Sequence, residues 1–316
     1  MQYSKQNGVH IVEVPAKDFK ILMVDKPKKS AAERNYVNAS FFGVFKGSNG
    51  NFTLPVGHLV CDIDAPAETT RFCKERGSLN GKKYIFNSAT FAYGNPLHGN
   101  AVSTLIVANG NAVIDEVKDL PDCDYAVAGI PVMRGGHDVK FATTVKSQGW
   151  DVSSLYGTWH TFIGLREDRS KIYVIGMRTI SLNMITSAEA YRTFKKLGFV
   201  DVIKLDGGGS FILNVNGADV ATTSENRRIN TIITFGDNNV RAKNPYLKPA
   251  VALKRGCRFV EHNKWLQWQL NALGFVCEID GSFGPATEQM VKEFQKSVGL
   301  DPDGSVGRLT RAALTK

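Results

Sequence analysis

The sequence predicts an α+β protein: a body built on a mixed β-sheet with flanking helices, followed by a small all-α module of three helices. Three observations carry this reading. Short apolar segments with strand-like alternation recur through residues 1–236. Within them, a strand, a helix and a second strand lead into Asp206-Gly207-Gly208-Gly209-Ser210. From Cys257 onward the apolar spacing changes to the three-to-four residue period of helices. A chain of 316 residues is long enough for one large core and a small module.

In chain order, Val9, Ile11, Val12 and Val14 and then Phe19, Ile21, Leu22 and Val24 alternate as strands, with Pro15 to Asp18 as the expected connection of a hairpin. The basic loop Lys26-Pro27-Lys28-Lys29 follows. Tyr36 to Gly43 is an aromatic strand interrupted by Asn38-Ala39-Ser40, and Pro55-Val56-Gly57 leads into a strand through Leu59 and Val60. Further strands are expected at Tyr84–Phe86, Ser103–Ala108 and Tyr125–Ala128, with Asn109-Gly110-Asn111 as a hairpin turn. Trp159 to Leu165 and Lys171 to Gly176 flank the polar turn Arg166 to Ser170. Thr186 starts a helix with capping-box spacing to Glu189, and Gly198 stops it. Phe199 to Leu205 then reads as a buried strand, with two more at Phe211–Val215 and Arg228–Phe235. Residues 237–256 read as a linker, which divides the chain into domains at 1–236 and 257–316.

In the last segment Leu266, Leu270 and Leu273 precede Gly274, while Ala286, Met290 and Phe294 precede Gly299. Asp280 to Thr287 returns as Asp303 to Thr310, so two helices begin in the same way, and a short third holds Leu309, Ala312 and Ala313.

Composition narrows the function classes. An apolar fraction of 43% and a charged fraction of 22% exclude a disordered chain. No apolar run reaches bilayer length, so no membrane insertion is expected, and Met1 to Gly8 lacks the apolar region of a Sec signal. Residues 257–316 hold seven basic and seven acidic side chains, so the net charge of +9 belongs to the body. That excess suits an anionic partner or serves solubility alone. No nucleic-acid-binding motif is present, and no nucleic-acid partner is expected. The five cysteines have no C-x-x-C spacing; Cys257 and Cys277 can pair only in an oxidising exterior.

The triple glycine is the candidate site. Each glycine costs about 0.5–1 kcal/mol of extra ordering entropy relative to alanine, so a folded chain keeps it for a tight turn, a spacer or a close approach to a ligand. There is no zinc-ligand spacing and no Walker loop, and Gly208-Gly209-Ser210-Phe211-Ile212 lacks the second glycine of a serine-hydrolase elbow. No metal or cofactor is expected.

The tail is similar to the peptidoglycan-binding repeat of cell-wall hydrolases, on Leu266-Gln267, Leu270, Leu273-Gly274, Asp280 to Thr287, Val291, Phe294-Gln295, Gly299-Leu300 and Asp303 to Thr310. The body resembles the phosphodiester glycosidase family, on Asn38-Ala39-Ser40-Phe41-Phe42, Pro55-Val56-Gly57, Thr186 with Glu189, Leu205 to Ser210, and the closing strand from Arg227. One departure stands out. The family's Arg-Thr before its apolar-Gly strand is His160-Thr161 here, and an imidazole, unlike a guanidinium, is not always charged.

The resemblance implies a cell-wall-targeted glycoside hydrolase acting on a sugar-1-phosphodiester or, if His160 has changed the chemistry, a peptidoglycan sugar bond. Its partner is the bacterial wall, as peptidoglycan or a phosphate-bearing glycopolymer. A phage endolysin released by holin-type lysis, or another non-Sec route, fits the missing signal segment. The alternative is a binding protein that keeps the fold and recognises glycan without cleaving it. On the enzyme reading, Asp206 is nucleophile, base or charge stabiliser, Glu225 a second carboxylate, and His160 and Arg227 grip phosphate. Asn38 and Thr161 orient hydroxyls, while Gly207, Gly208, Gly209 and Ser210 offer backbone N–H groups. Arg178 and His137 are weaker candidates.

Overall fold

The computed structural model describes residues 1–316 apart from 31–32, 34, 48–49, 82, 91–95, 152–154, 180–184, 237–243, 274, 276 and 316. The chain forms two compact units, a body of Met1–Lys28 and Glu33–Asn239 and a small unit that includes Val240–Lys316. The architecture is α+β, as the sequence predicts.

The body stacks two sheets. An antiparallel seven-stranded sheet runs in the order Gln2–Gln6, Val9–Pro15, Lys171–Arg178, Trp159–Leu165, Asp201–Gly207, Ile130–Arg134, His137–Asp138. A larger, mixed sheet has Phe19–Pro27, Arg228–Phe235 and Tyr36–Asn38 at its middle, flanked by Leu59–Ile63 and Ile212–Val215. Its parallel pairing joins Phe19–Pro27 to Leu59–Ile63. Alternation along each strand buries Val12, Ile163 and Ile203 of the first sheet against Ile21, Val37 and Ile233 of the second, which forms the main core. The opposite face of the seven-stranded sheet is also apolar. Phe162, Ile175 and Val202 pack there against Val145 and Phe194, from the helices Phe141–Gln148 and Ser187–Lys196. A sheet covered on both faces explains why its strands read as nearly continuous apolar runs.

One expectation of strand pairing changes. Val9–Pro15 and Phe19–Pro27 do not form a hairpin: a 3-10 turn, Ala16–Asp18, passes the chain from one sheet to the other, so the strands pair with different partners. Within the basic loop, Lys28 is fully buried. The helices Ala67–Arg76 and Phe141–Gln148 and the edge strand Gln2–Gln6 gave no readable apolar period. The Asn109-Gly110 hairpin is present, and the Thr186 hydroxyl accepts the Glu189 N–H at 3.2 Å to cap its helix.

The small unit holds the helices Val260–Ala272, Pro285–Ser297 and Arg308–Ala313. Of the stretch expected as a linker, residues 237–243 lie outside the described residues, while Asn244 bonds Trp265 O and Leu253 is fully buried in this unit's core. The repeated turns have a common lock. Gln267 Nε2 donates to Asp280 Oδ1 at 2.7 Å and Ser282 O at 2.9 Å, and its Oε1 accepts Gly281 N–H at 2.9 Å. Gln295 repeats this with Asp303, Ser305 and Gly304 at 2.8, 2.9 and 2.9 Å. Each glutamine is buried at one helix and fixes the turn that starts the next. Cys257 and Cys277 are separate thiols.

Replacing Gln267 or Gln295 with Ala strands these turn groups without partners and should cost about 1–3 kcal/mol each, read as a lower Tm of the small unit by calorimetry. The Ser282 and Ser305 N–H groups, and after them the Gln267 and Gln295 side-chain amides, hold the Asp280 and Asp303 carboxyls below their ordinary values. A carboxyl held low stabilises the fold above about pH 4 and loses that contribution on further acidification. The two substitutions should therefore flatten the fall in Tm below about pH 4; an unchanged Tm and acid response would show the glutamine lock to be incidental.

Candidate active site

Asp206 lies near the end of Asp201–Gly207, where the two sheets meet. Its N–H donates to Ala39 O at 3.1 Å, and its carbonyl accepts Asn38 Nδ2–H at 2.8 Å. Asn38 Oδ1 in turn accepts the Thr161 hydroxyl at 2.9 Å and Ile212 N–H at 3.3 Å. One buried amide thus joins four segments. Asn38 and Thr161 are 1% and 0% exposed, so they hold the strand end in place and do not face a substrate hydroxyl. Alternation causes this: Thr161 points between the sheets, whereas Phe162 points to the helices.

The glycines follow from space and backbone. A Cβ on Gly207 would sit 2.6 Å from Trp159 O, and Gly208 takes φ +57°. Gly207 N–H donates to Asp206 Oδ1 at 2.8 Å. A Cβ on Gly209 would meet only the carboxylate of Glu225, the free end of an exposed side chain beside the turn that can move aside. Behind the turn, Lys28 Nζ donates to Gly209 O at 2.9 Å, to Phe211 O at 3.0 Å and to the Thr223 hydroxyl. A buried ammonium whose donors all meet oxygen is an anchor for the loop.

These elements enclose a cavity of about 370 Å³. Asp206, Gly207, Gly208, Gly209 and Arg227 line it, together with aromatic Phe41, Phe42, Trp150 and Tyr156. Arg227 is exposed and its guanidinium lies 5.7 Å from the Phe42 ring centre. Tyr156 is 54% exposed, whereas Trp150 is 5% exposed. Carboxylate, guanidinium and aromatic walls around one space can bind a sugar that carries an anionic group.

Electrostatics separates the expected acid and base residues. Burial raises the Asp206 pKa, opposed by the Ser210 hydroxyl, the Lys204 and Arg227 charges and Gly207 N–H. Ser210 is buried near that carboxylate without hydrogen-bond geometry to a protein partner. His160 does not line the cavity. It is fully buried opposite Gly207, 6.2 Å from the Phe162 ring, and burial with the Lys204 charge lowers its pKa to about 3. A neutral imidazole inside the sheet does not grip phosphate, so the expected role of His160 is not supported by its position. His137 is exposed, and Arg178 lines a separate cavity with Glu189. Among the described residues no group of His, Cys, Asp or Glu is arranged to hold a metal ion.

Sequence reasoning missed Lys28, Lys204, Trp150 and Tyr156. Lys204 had a readable signal, since it interrupts the apolar run from Val202 to Leu205. The aromatic walls had none, because Trp150 and Tyr156 come from irregular segments remote in sequence from Asp206.

Comparison with known proteins places these features. The phosphodiester glycosidase family model matches residues 36–236, and the peptidoglycan binding domain model matches residues 262–314. A curated relative, an uncharacterized protein in the bpoA1 3′ region of Kitasatospora aureofaciens, is 49% identical over 53 residues, 16% of this chain, and the match spans 45% of that protein. Among solved structures, the body is similar to the catalytic domain of zebrafish N-acetylglucosamine-1-phosphodiester alpha-N-acetylglucosaminidase, at 12% identity and TM-score 0.49, covering 75% of this chain and 81% of that one. A peptidoglycan-binding protein from Clostridioides difficile is 24% identical over 35% of this chain and 74% of its own, with a TM-score of 0.22. The family match spans more than half the chain and ends beside the helical unit that carries the second match. The chain therefore belongs to the phosphodiester glycosidase family and carries a peptidoglycan-binding domain.

Proposed function

We propose that this protein hydrolyses a sugar-1-phosphodiester linkage in a bacterial wall glycopolymer, while its helical unit holds it on peptidoglycan. The observation that carries the reading is the shared cavity of Asp206, the triple glycine and Arg227. Cleavage between an anomeric carbon and a phosphate oxygen builds positive charge on the sugar ring and negative charge on the departing phosphate. On this reading Arg227 pairs with the phosphate, and Asp206 stabilises or attacks the anomeric carbon. Phosphate leaves readily, so a strong general acid is not required; this agrees with a neutral His160 outside the cavity. Phe41, Phe42, Trp150 and Tyr156 give apolar faces against which a sugar ring can pack. Asp206 must be ionised for either role, and burial raises its pKa, so activity should rise with pH through an acidic limb above the ordinary aspartate value. An endolysin role is the narrower form of this reading, and it requires that the cleaved bond be one that holds the wall together.

Asp206→Asn should abolish sugar release from purified walls and model phosphodiesters while leaving wall binding intact. If the wild-type chain releases no sugar and the variant matches it in every assay, the protein is a glycan-binding member of the fold. Removal of residues 257–316 should lose sedimentation with walls and retain turnover of a soluble phosphodiester; undiminished wall binding would refute the anchor. Lys28→Met removes the bonds behind the glycine turn and should reduce kcat/KM by about 10²-fold with the global fold retained. Unaltered turnover would remove Lys28 from the account.

A further inference from the structure

Lys204 is a fully buried lysine in the middle of the seven-stranded sheet. Its cross-strand neighbours are both apolar, Phe162 on one side and Ile130 on the other. Nζ donates to Leu205 O at 3.0 Å and lies 5.0 Å from the centre of the Phe41 ring, and Phe41 lines the candidate cavity. An ammonium has three donors and is strongly hydrated in water, so this environment satisfies it poorly. Nothing in the packing around it calls for a charge. Two residues on, across a register shift in the strand, is Asp206, and the carbonyl that Nζ meets belongs to the Leu205–Asp206 peptide bond.

His160 supplies an independent observation. It too is fully buried, and neither ring nitrogen meets hydrogen-bond geometry with a protein partner, although the Gly157 backbone is near enough to oppose the fall in its pKa. The charged and titratable groups that face Lys204 are thus Asp206 on its own strand and His160 on the adjacent one, while Arg227 acts on Asp206 from the loop before Arg228–Phe235. With His160 neutral, Lys204 is the buried cation of this cluster.

We propose that Lys204 is a positioning residue: its buried ammonium, set behind the Phe41 wall, supplies the fixed positive field that keeps Asp206 charged. Burial lowers the Lys204 pKa to about 8, with Asp206 opposing the fall, so the ammonium persists through neutral pH. The field acts through the low-dielectric interior, where solvent screens it far less than an exposed pair. Lys204 touches neither the cavity nor a substrate; Asp206 reaches both. The inference rests on the hydrolase reading for its catalytic meaning, but not for its physical content.

The test is carbon-13 NMR titration of the whole chain with labelled aspartate, the Asp206 Cγ resonance being the one that Asp206→Asn removes. In Lys204→Met its midpoint should rise by about one pH unit or more, and in Lys204→Arg it should stay within about half a unit of wild type. An unmoved midpoint in Lys204→Met, or the same rise in both variants, overturns the proposal. Should Lys204→Met fail to fold, the reciprocal coupling decides: Asp206→Asn should lower the midpoint of the Lys204 Cε resonance below its wild-type value, and an unchanged midpoint overturns the proposal. The readout needs no turnover. A chain that shows the coupling but releases no sugar refutes the hydrolase reading and leaves this inference standing.

Discussion

The buried Asn38 amide is the constraint on which the site depends. Its Nδ2 holds the Asp206 carbonyl, and its Oδ1 takes the Thr161 hydroxyl and the Ile212 N–H. Asn38 ends a strand of the larger sheet, while Asp206 and Thr161 belong to the other. The relative position of the sheets at this end is therefore set by hydrogen bonds in the dry interior, where leaving one unmade costs about 1–3 kcal/mol. Apolar contacts between the sheets are tolerant of small slides; an amide that must meet three partners is not. That difference is what lets a sandwich core, built from Ile, Val and Phe, present Asp206 at a defined point.

Two buried lysines then act on the same turn from different sides. Lys28 is satisfied by oxygens and fixes the shape of the glycine loop. Lys204 is poorly satisfied and, on the inference drawn above, sets charge and not shape. Burying an ammonium carries a desolvation penalty of several kcal/mol, so neither is neutral for stability. The glycines complete the arrangement: Gly207 leaves room for Trp159 O, and Gly208 takes the positive φ of the turn. The site is thus a place where the backbone is brought close and the charges are put behind it.

Much of this was legible in the sequence. The strand into Asp206, the Thr186 cap, the hairpin at Asn109-Gly110 and the three helices of the small unit each have a local physical cause, and local causes can be read one segment at a time. Asp206, Gly207 to Gly209 and Arg227 were named from motifs and do share a cavity. What was not legible depends on which face a side chain takes. His160, Asn38 and Thr161 were expected in the site because of their chemistry, but Asn38 and Thr161 bond each other between the sheets, and His160, on the opposite face of its strand from Thr161, is buried near Phe162. The passage from Val9–Pro15 to Phe19–Pro27 looked like a hairpin because alternation says nothing about which sheet a strand joins. Lys28 read only as part of a basic loop, since its acceptors, Gly209, Phe211 and Thr223, are remote in sequence and nothing local marks it as buried.

The helical unit is a cell-wall glycan-binding domain by its match, with a lock repeated at Gln267 and Gln295. Joined to a phosphodiester glycosidase body, it makes a cell-wall-related member of that family. The claim at the centre is that the Asp206 cavity breaks a bond between a sugar and a phosphate. Phosphorus-31 NMR of a purified wall glycopolymer incubated with the whole chain tests it most directly. The account predicts that the phosphodiester resonance declines while a phosphomonoester resonance grows by the same amount. An unchanged phosphorus spectrum, with or without release of reducing sugar, would contradict it.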